Sequence, residues 1–194
     1  MVRKMGEGAP PISETEQEPA NGQHLHTDVS IGPAGPEDAA QVMALLRRRM
    51  AWMDEKGLQH WNCSAYLEEF PLSYFQSLAR AGELFAAWDK SGMVGAMALR
   101  RTDDQWPDGD SGRALYLHHL ATEVSRKGLG RQMIAWAEAY AAAQGRECLR
   151  LDSKKGNEPL RRYYDALGFR PVGECINEDY AGVLREKSLH PAAK

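Results

Sequence analysis

One stretch limits what this chain can fold into. From Ala114 the sequence runs ALYLHHLATEVSRKGLG to Gly130, continues RQMIAWAEAYAAAQG to Gly145, and reaches ECLRLDS at 147–153. Tyr116, Leu117, Leu120 and Ala121 suit a central strand. Leu129, Met133, Trp136, Ala137 and Tyr140 recur at helical spacing, with Gly145 as the stop. A strand, a helix and a second strand over this length imply a right-handed crossover and a parallel pair. Between strand and helix, Gly128 and Gly130 let the backbone approach a ligand, and the helix start presents N–H groups and a dipole that favour an anion. Arg126, Lys127 and Arg131 add positive charge there. A phosphate-binding turn and a merely tight connection are both readings of Gly-x-Gly after a strand.

The rest of the chain fits a mixed sheet around this unit. Residues 1–27, rich in Gly, Pro, Glu and Gln, read as a disordered extension, and 28–190 as one domain. Asp28–Gly32 reads as an edge strand. A helix is expected from Pro36, with Val42, Leu45, Leu46, Met50 and Met53 as its apolar stripe and Gly57 as its end. The aromatic-bearing loop LQHWN follows, then a short helix over 72–81. Strands at 83–89 and 93–101 form a hairpin around Lys90–Gly92. Thr102–Gly112 carries Asp103, Asp104, Asp108 and Asp110 around Trp106, either as a solvated loop or as a flap attracting a cationic substrate. Asn157 and Pro159 open a last helix that Gly168 closes, and two antiparallel strands finish the chain at 169–176 and 182–189. About four helices are expected.

Composition narrows the function classes. With 194 residues, 43% of them hydrophobic, a sizeable core is available. No apolar run approaches a membrane span, and the first residues lack a signal peptide's apolar core. Three cysteines without a CxxC pair fit a reducing cytoplasm and argue against a zinc site. A net charge of −3 makes no general case for nucleic acid.

Two motifs carry a family resemblance. LATEVSRKGLGR at 120–131 and NEPLRRYYDALGF at 157–169 resemble the GNAT superfamily of acyl-CoA N-acyltransferases, in a chain whose element order matches over Val29–Leu189. DEKGLQHWN and YLHHLAT are similar to a bacterial subgroup. The resemblance implies an α/β fold: a mixed, mostly antiparallel sheet with a central parallel pair. It also implies acetyl-CoA as co-substrate, with Leu120, Ala121, Thr122, Arg126, Lys127, Gly128, Leu129, Gly130 and Arg131 around its pantetheine and pyrophosphate. Asn157 falls near the pantetheine. Arg161 joins Lys154, Lys155 and Arg162 in a basic cluster suited to the nucleotide phosphates. Tyr164, four residues before Gly168, takes the place of the tyrosine facing the CoA sulfur. Two departures are Ser125, where the family usually carries Arg or Gln, and a turn about two residues short.

Acyl transfer to an amine needs a base for the amine proton, a donor for the carbonyl oxygen and an acid for the leaving thiolate. Tyr164 suits the acid, with a reference pKa of about 10. It could equally be a core tyrosine beside Tyr163. A main-chain N–H near Leu120 or Ala121 suits the oxygen. His118, Glu123 and Asp152 are the candidate bases. Regular alternation puts His118 and His119 on opposite faces unless a bulge intervenes. The expected activity is acetyl transfer to a small-molecule primary amine in a ternary complex, in the cytoplasm, without a metal. Carrier- or tRNA-bound substrates, or a non-catalytic CoA-sensing domain, are the alternatives. A homodimer is left open.

Overall fold

The computed structural model describes residues 28–58, 61–63, 65–109, 111–177 and 180–189. The expected extension at 1–27, and Asp110 of the acidic loop, lie outside these residues.

Seven strands form one sheet: β1 (Ser30–Pro33), β2 (Leu84–Asp89), β3 (Gly92–Arg100), β4 (Ala114–Thr122), β5 (Cys148–Lys154), β6 (Arg170–Asn177) and β7 (Tyr180–Ser188), in the order β1-β2-β3-β4-β5-β7-β6. β4 and β5 are parallel, and every other neighbouring pair is antiparallel. Among the described residues five α-helices cover the sheet, in line with the about four expected: α1 (Ala39–Glu55), α2 (Tyr66–Glu69), α3 (Leu72–Arg80), α4 (Leu129–Ala143) and α5 (Glu158–Ala166). The additional one, α2, is a single turn within the aromatic connection after α1.

β2 and β3 are nearly unbroken apolar runs because both of their faces are covered. Leu84, Ala86, Ala96 and Ala98 pack against Val42, Leu45 and Leu46 of α1 and Phe75 and Leu78 of α3. The alternate residues Phe85, Ala87, Met97 and Leu99 meet Met133, Ile134 and Ala137 of α4, with Leu115, Leu117 and Leu149 alongside. Burying a side chain of this size is worth about 1.5–3 kcal/mol.

Two irregularities interrupt the centre of the sheet. β4 and β5 pair only at Ala114↔Cys148, Leu115↔Leu149 and Tyr116↔Arg150. Beyond those rungs β4 is paired to β3 alone and β5 to β7 alone, so the sheet opens into a slot. The second is a bulge in β4. Ala98 faces His118 and Ala96 faces Ala121, leaving His119 and Leu120 opposite Met97. His119 takes the extra residue's bend with φ 55°, in the left-handed region.

Candidate active site

The open end of the slot meets the glycine turn. Gly128 has φ 84°, a conformation costly for side-chain-bearing residues, and it leads directly into α4 with no side chain capping the helix start. Leu129 N–H donates to the Arg126 carbonyl at 3.2 Å, and no side chain caps the N–H groups that follow it, which leaves them for an anion. Beside the turn lies an open depression of about 500 Å³ lined by Arg48, Ser91, Met93, Val94, Glu123, Ser125 and Arg126.

The second motif packs against this turn. Asn157 caps α5, its carboxamide oxygen accepting the Leu160 N–H at 3.0 Å. At the far end Phe169 N–H donates to the Tyr164 carbonyl and Gly168 N–H to the Asp165 carbonyl, closing the helix. The two tyrosines divide. A Cβ on Gly130 would stand 3.2 Å from the Tyr163 hydroxyl, so Tyr163 reaches the start of α4. Tyr164 turns inward among Leu151, Phe169 and the α4 residues, and burial holds its phenol well above the ordinary value.

The bulge changes the placement of the two histidines. Instead of opposite faces, both lie on the face opposite α4, their rings 5.9 Å apart. His119 is buried, with Nδ1 2.5 Å from the Tyr66 hydroxyl and Nε2 2.9 Å from the Tyr74 hydroxyl. Burial, with His118 and Arg100 nearby, pushes its pKa down to about 3, so it is a neutral structural imidazole. His118 places Nε2 2.9 Å from Asp103 Oδ2.

The described part of the acidic loop divides: Asp104 is exposed, while Asp103 and Trp106 are buried. Asp103 is buried on His118, Asp108 holds Arg150, and the Trp106 ring lies 4.4 Å beneath the Arg150 guanidinium. In the sequence Asp103 reads only as part of a diffuse charge.

Other expected site residues carry partners of their own. Glu123, a candidate base, is ion-paired with Arg48 at 2.6 Å. Arg126 pairs with Asp89 at the end of β2. Arg161 pairs with Glu158 and Asp165 along α5, and Lys155 with Glu174. The Arg161 and Lys155 pairs are exposed, and pairs of this kind are worth about 0–1 kcal/mol, so a polyphosphate can displace them. Asp152, on β5 across the slot, accepts a hydrogen bond from the Tyr180 hydroxyl. Among the described residues no group of His, Cys, Asp and Glu could hold a metal ion.

Comparison with known proteins turns this geometry into a family. A sequence model described as the Acetyltransferase (GNAT) family matches residues 45–169. The chain belongs to the GNAT acetyltransferase family. The Bacillus subtilis (strain 168) protein named uncharacterized N-acetyltransferase YesJ is 27% identical over 150 residues, 73% of this chain and 81% of that protein. A GNAT-family acetyltransferase structure from Listeria monocytogenes superposes with a TM-score of 0.69 at 26% identity, covering 82% of this chain and 94% of that one. The Thermoplasma acidophilum PaiA N-acetyltransferase, solved with coenzyme A, shares the fold with a TM-score of 0.64 at 16% identity over 82% of this chain and 98% of that one. In this GNAT domain the family match ends at Phe169, so it takes in β4, the slot, the glycine turn and α5.

Proposed function

We propose that the protein transfers the acetyl group of acetyl-CoA to the primary amine of a small molecule, in a ternary complex and without a covalent enzyme intermediate. The observation that carries this reading is the slot between β4 and β5, closed at Tyr116↔Arg150 and open toward the Gly128 turn. An extended pantetheine fits such a gap, where strand N–H and C=O groups lack a neighbouring strand. The unsealed start of α4 and the basic residues near it suit a pyrophosphate. YncA of Salmonella typhimurium, whose structure holds acetyl-CoA, shares the fold.

Each chemical task then has an owner. The main-chain N–H near Leu120 or Ala121 holds the carbonyl oxygen as charge builds on it. His118 takes a proton from the acceptor ammonium. Tyr164, kept protonated by burial, gives a proton to the leaving sulfur. Leu120, Ala121, Thr122, Arg126, Lys127, Gly128, Leu129, Gly130, Arg131, Asn157 and Arg161 contribute to the donor site. A cytoplasmic setting is supported by Cys148 and Cys175, both free and buried.

Calorimetric titration with acetyl-CoA and CoA, followed by thiol release over an amine panel, tests the reading. Binding in the micromolar range is expected, unchanged in Tyr164→Phe, with turnover in that variant lower by about 10²–10⁴-fold. Absence of acetyl-CoA binding, or binding without turnover on any amine, overturns it.

A further inference from the structure

We propose that Asp103 is a positioning residue. It fixes His118 as the Nε2–H tautomer and leaves Nδ1 as the nitrogen that takes the acceptor's proton. This rests on the acetyl-transfer reading and adds a residue that reading does not use.

Four observations carry it. First, Asp103 is 5% exposed and its own place is fixed: its N–H donates to the Gly109 carbonyl at 3.1 Å, and its Oδ1 accepts the Gln105 N–H at 3.0 Å. That leaves Oδ2 for His118 at 2.9 Å. Second, burial works to raise the Asp103 carboxyl, but the bond from His118, its charge, the Gln105 N–H and Arg100 override it and hold the group below its ordinary value. An ionised carboxylate can only accept, so the hydrogen of this bond belongs to Nε2. Third, Nδ1 of His118 has no hydrogen-bond partner among the described residues, and the side chain is 16% exposed. Fourth, the neighbouring His119 has both nitrogens engaged by Tyr66 and Tyr74. Of the two adjacent imidazoles only His118 offers a basic nitrogen. The ionisable groups around the pair are Arg100 on β3, Tyr116 and His119 on β4, Tyr74 on α3 and Cys175 on β6.

The proton inventory closes. The acceptor ammonium gives one proton to Nδ1, and the freed lone pair forms the C–N bond. The C–S bond breaks with its electron pair going to sulfur. Tyr164 gives its proton to the sulfur and is reprotonated by the second proton from the nitrogen, and His118 returns the first to water. The products are an amide, a thiol and one proton.

The test uses Asp103→Asn, Asp103→Glu, His118→Gln and the double variant Asp103→Asn/His118→Gln. Asparagine can donate to Nε2 and reverse the tautomer. Asp103→Asn is expected to lower kcat by about 10²–10⁴-fold, with the acetyl-CoA dissociation constant unchanged. Nitrogen-15 NMR of the His118 ring is expected to show Nε2–H in the native protein and Nδ1–H in Asp103→Asn. Asp103→Glu keeps a carboxylate and is expected to recover Nε2–H and part of kcat. The double variant is expected to be no slower than His118→Gln alone, because Asp103 acts through His118. Multiplying losses in the double variant, or Nδ1–H in the native protein, overturns the proposal. The ring spectrum needs no turnover. Native Nε2–H in a protein that acetylates no amine therefore sinks the acetyl-transfer reading and, with it, the catalytic purpose of the pair.

Discussion

His119 occupies the left-handed region that costs a side-chain-bearing residue of the order of 1–3 kcal/mol, and its surroundings make that tolerable. Tyr66 and Tyr74 satisfy both ring nitrogens, and Phe70 and Phe75 meet the ring at centroid distances of 4.7 and 5.3 Å. A neutral buried histidine has a consequence for acid stability. Its ordinary pKa is 6.5 and its folded one about 3. Below about pH 6.5 the unfolded chain binds a proton that the folded chain refuses, so stability rises with pH across this window. The contribution is fully present above pH 6.5 and is lost as pH falls toward 3, each unit being worth about 1.4 kcal/mol. Urea denaturation between pH 7 and 4 is expected to show this slope in the native protein and a shallower one in His119→Asn, where asparagine suits the backbone bend. An equal slope in both would count against a buried neutral imidazole. The sequence HH announces two titratable side chains in a strand but not which is sealed away, because that depends on one bulged backbone position.

At the scale of elements, α5 depends on its first residue. Asn157→Ala is expected to destabilise the protein by about 1 kcal/mol, lowering the melting temperature by about 2–4 °C, with Asn157→Ser recovering most of it. Melting curves of the three proteins check this, and an unchanged temperature would show that the cap is dispensable. The element is readable from sequence because its signals are local: Asn157 before Pro159, an apolar-polar period, and Gly168 before Phe169. The same holds for α4 with Gly145 and for the β2–β3 hairpin around Lys90–Gly92. What sequence does not reveal is set by contacts distant along the chain. α2 is too short to show a period, and the Asp103–His118 and Arg126–Asp89 pairs span 15 and 37 positions. The acidic loop reads as either a solvated loop or a flap, because four aspartates around one tryptophan give no sign that Arg150, far along the chain, sits on that tryptophan.

Across the whole molecule, the two halves of the sheet meet at a short seam, and Arg150 stands on its last rung. The guanidinium donates to Glu186 at 2.8 Å, to Asp108 at 2.8 and 3.1 Å and to the Tyr116 hydroxyl at 3.1 Å. Arg150→Met leaves Asp108 without its cation and Glu186 with Arg113 alone, 3.6 Å away. Asp108 is 44% exposed and can rehydrate. The expected loss is therefore about 2–3 kcal/mol, below the roughly 3–5 of breaking a fully buried pair. Urea denaturation measures this, and hydrogen exchange is expected to quicken first in residues 101–113; protection there equal to the native protein's would show that the loop holds without Arg150. The seam also bears on how fast a ligand could enter. Backbone pairing ends at Tyr116↔Arg150, and at that same rung side chains from β4, β5, β7 and the loop before β4 clamp together. An opening held at its apex in this way keeps its width before anything arrives. A ligand of such a slot is expected to find little conformational freedom left to remove, and to arrive at a rate set by diffusion and charge rather than by waiting for the walls to part.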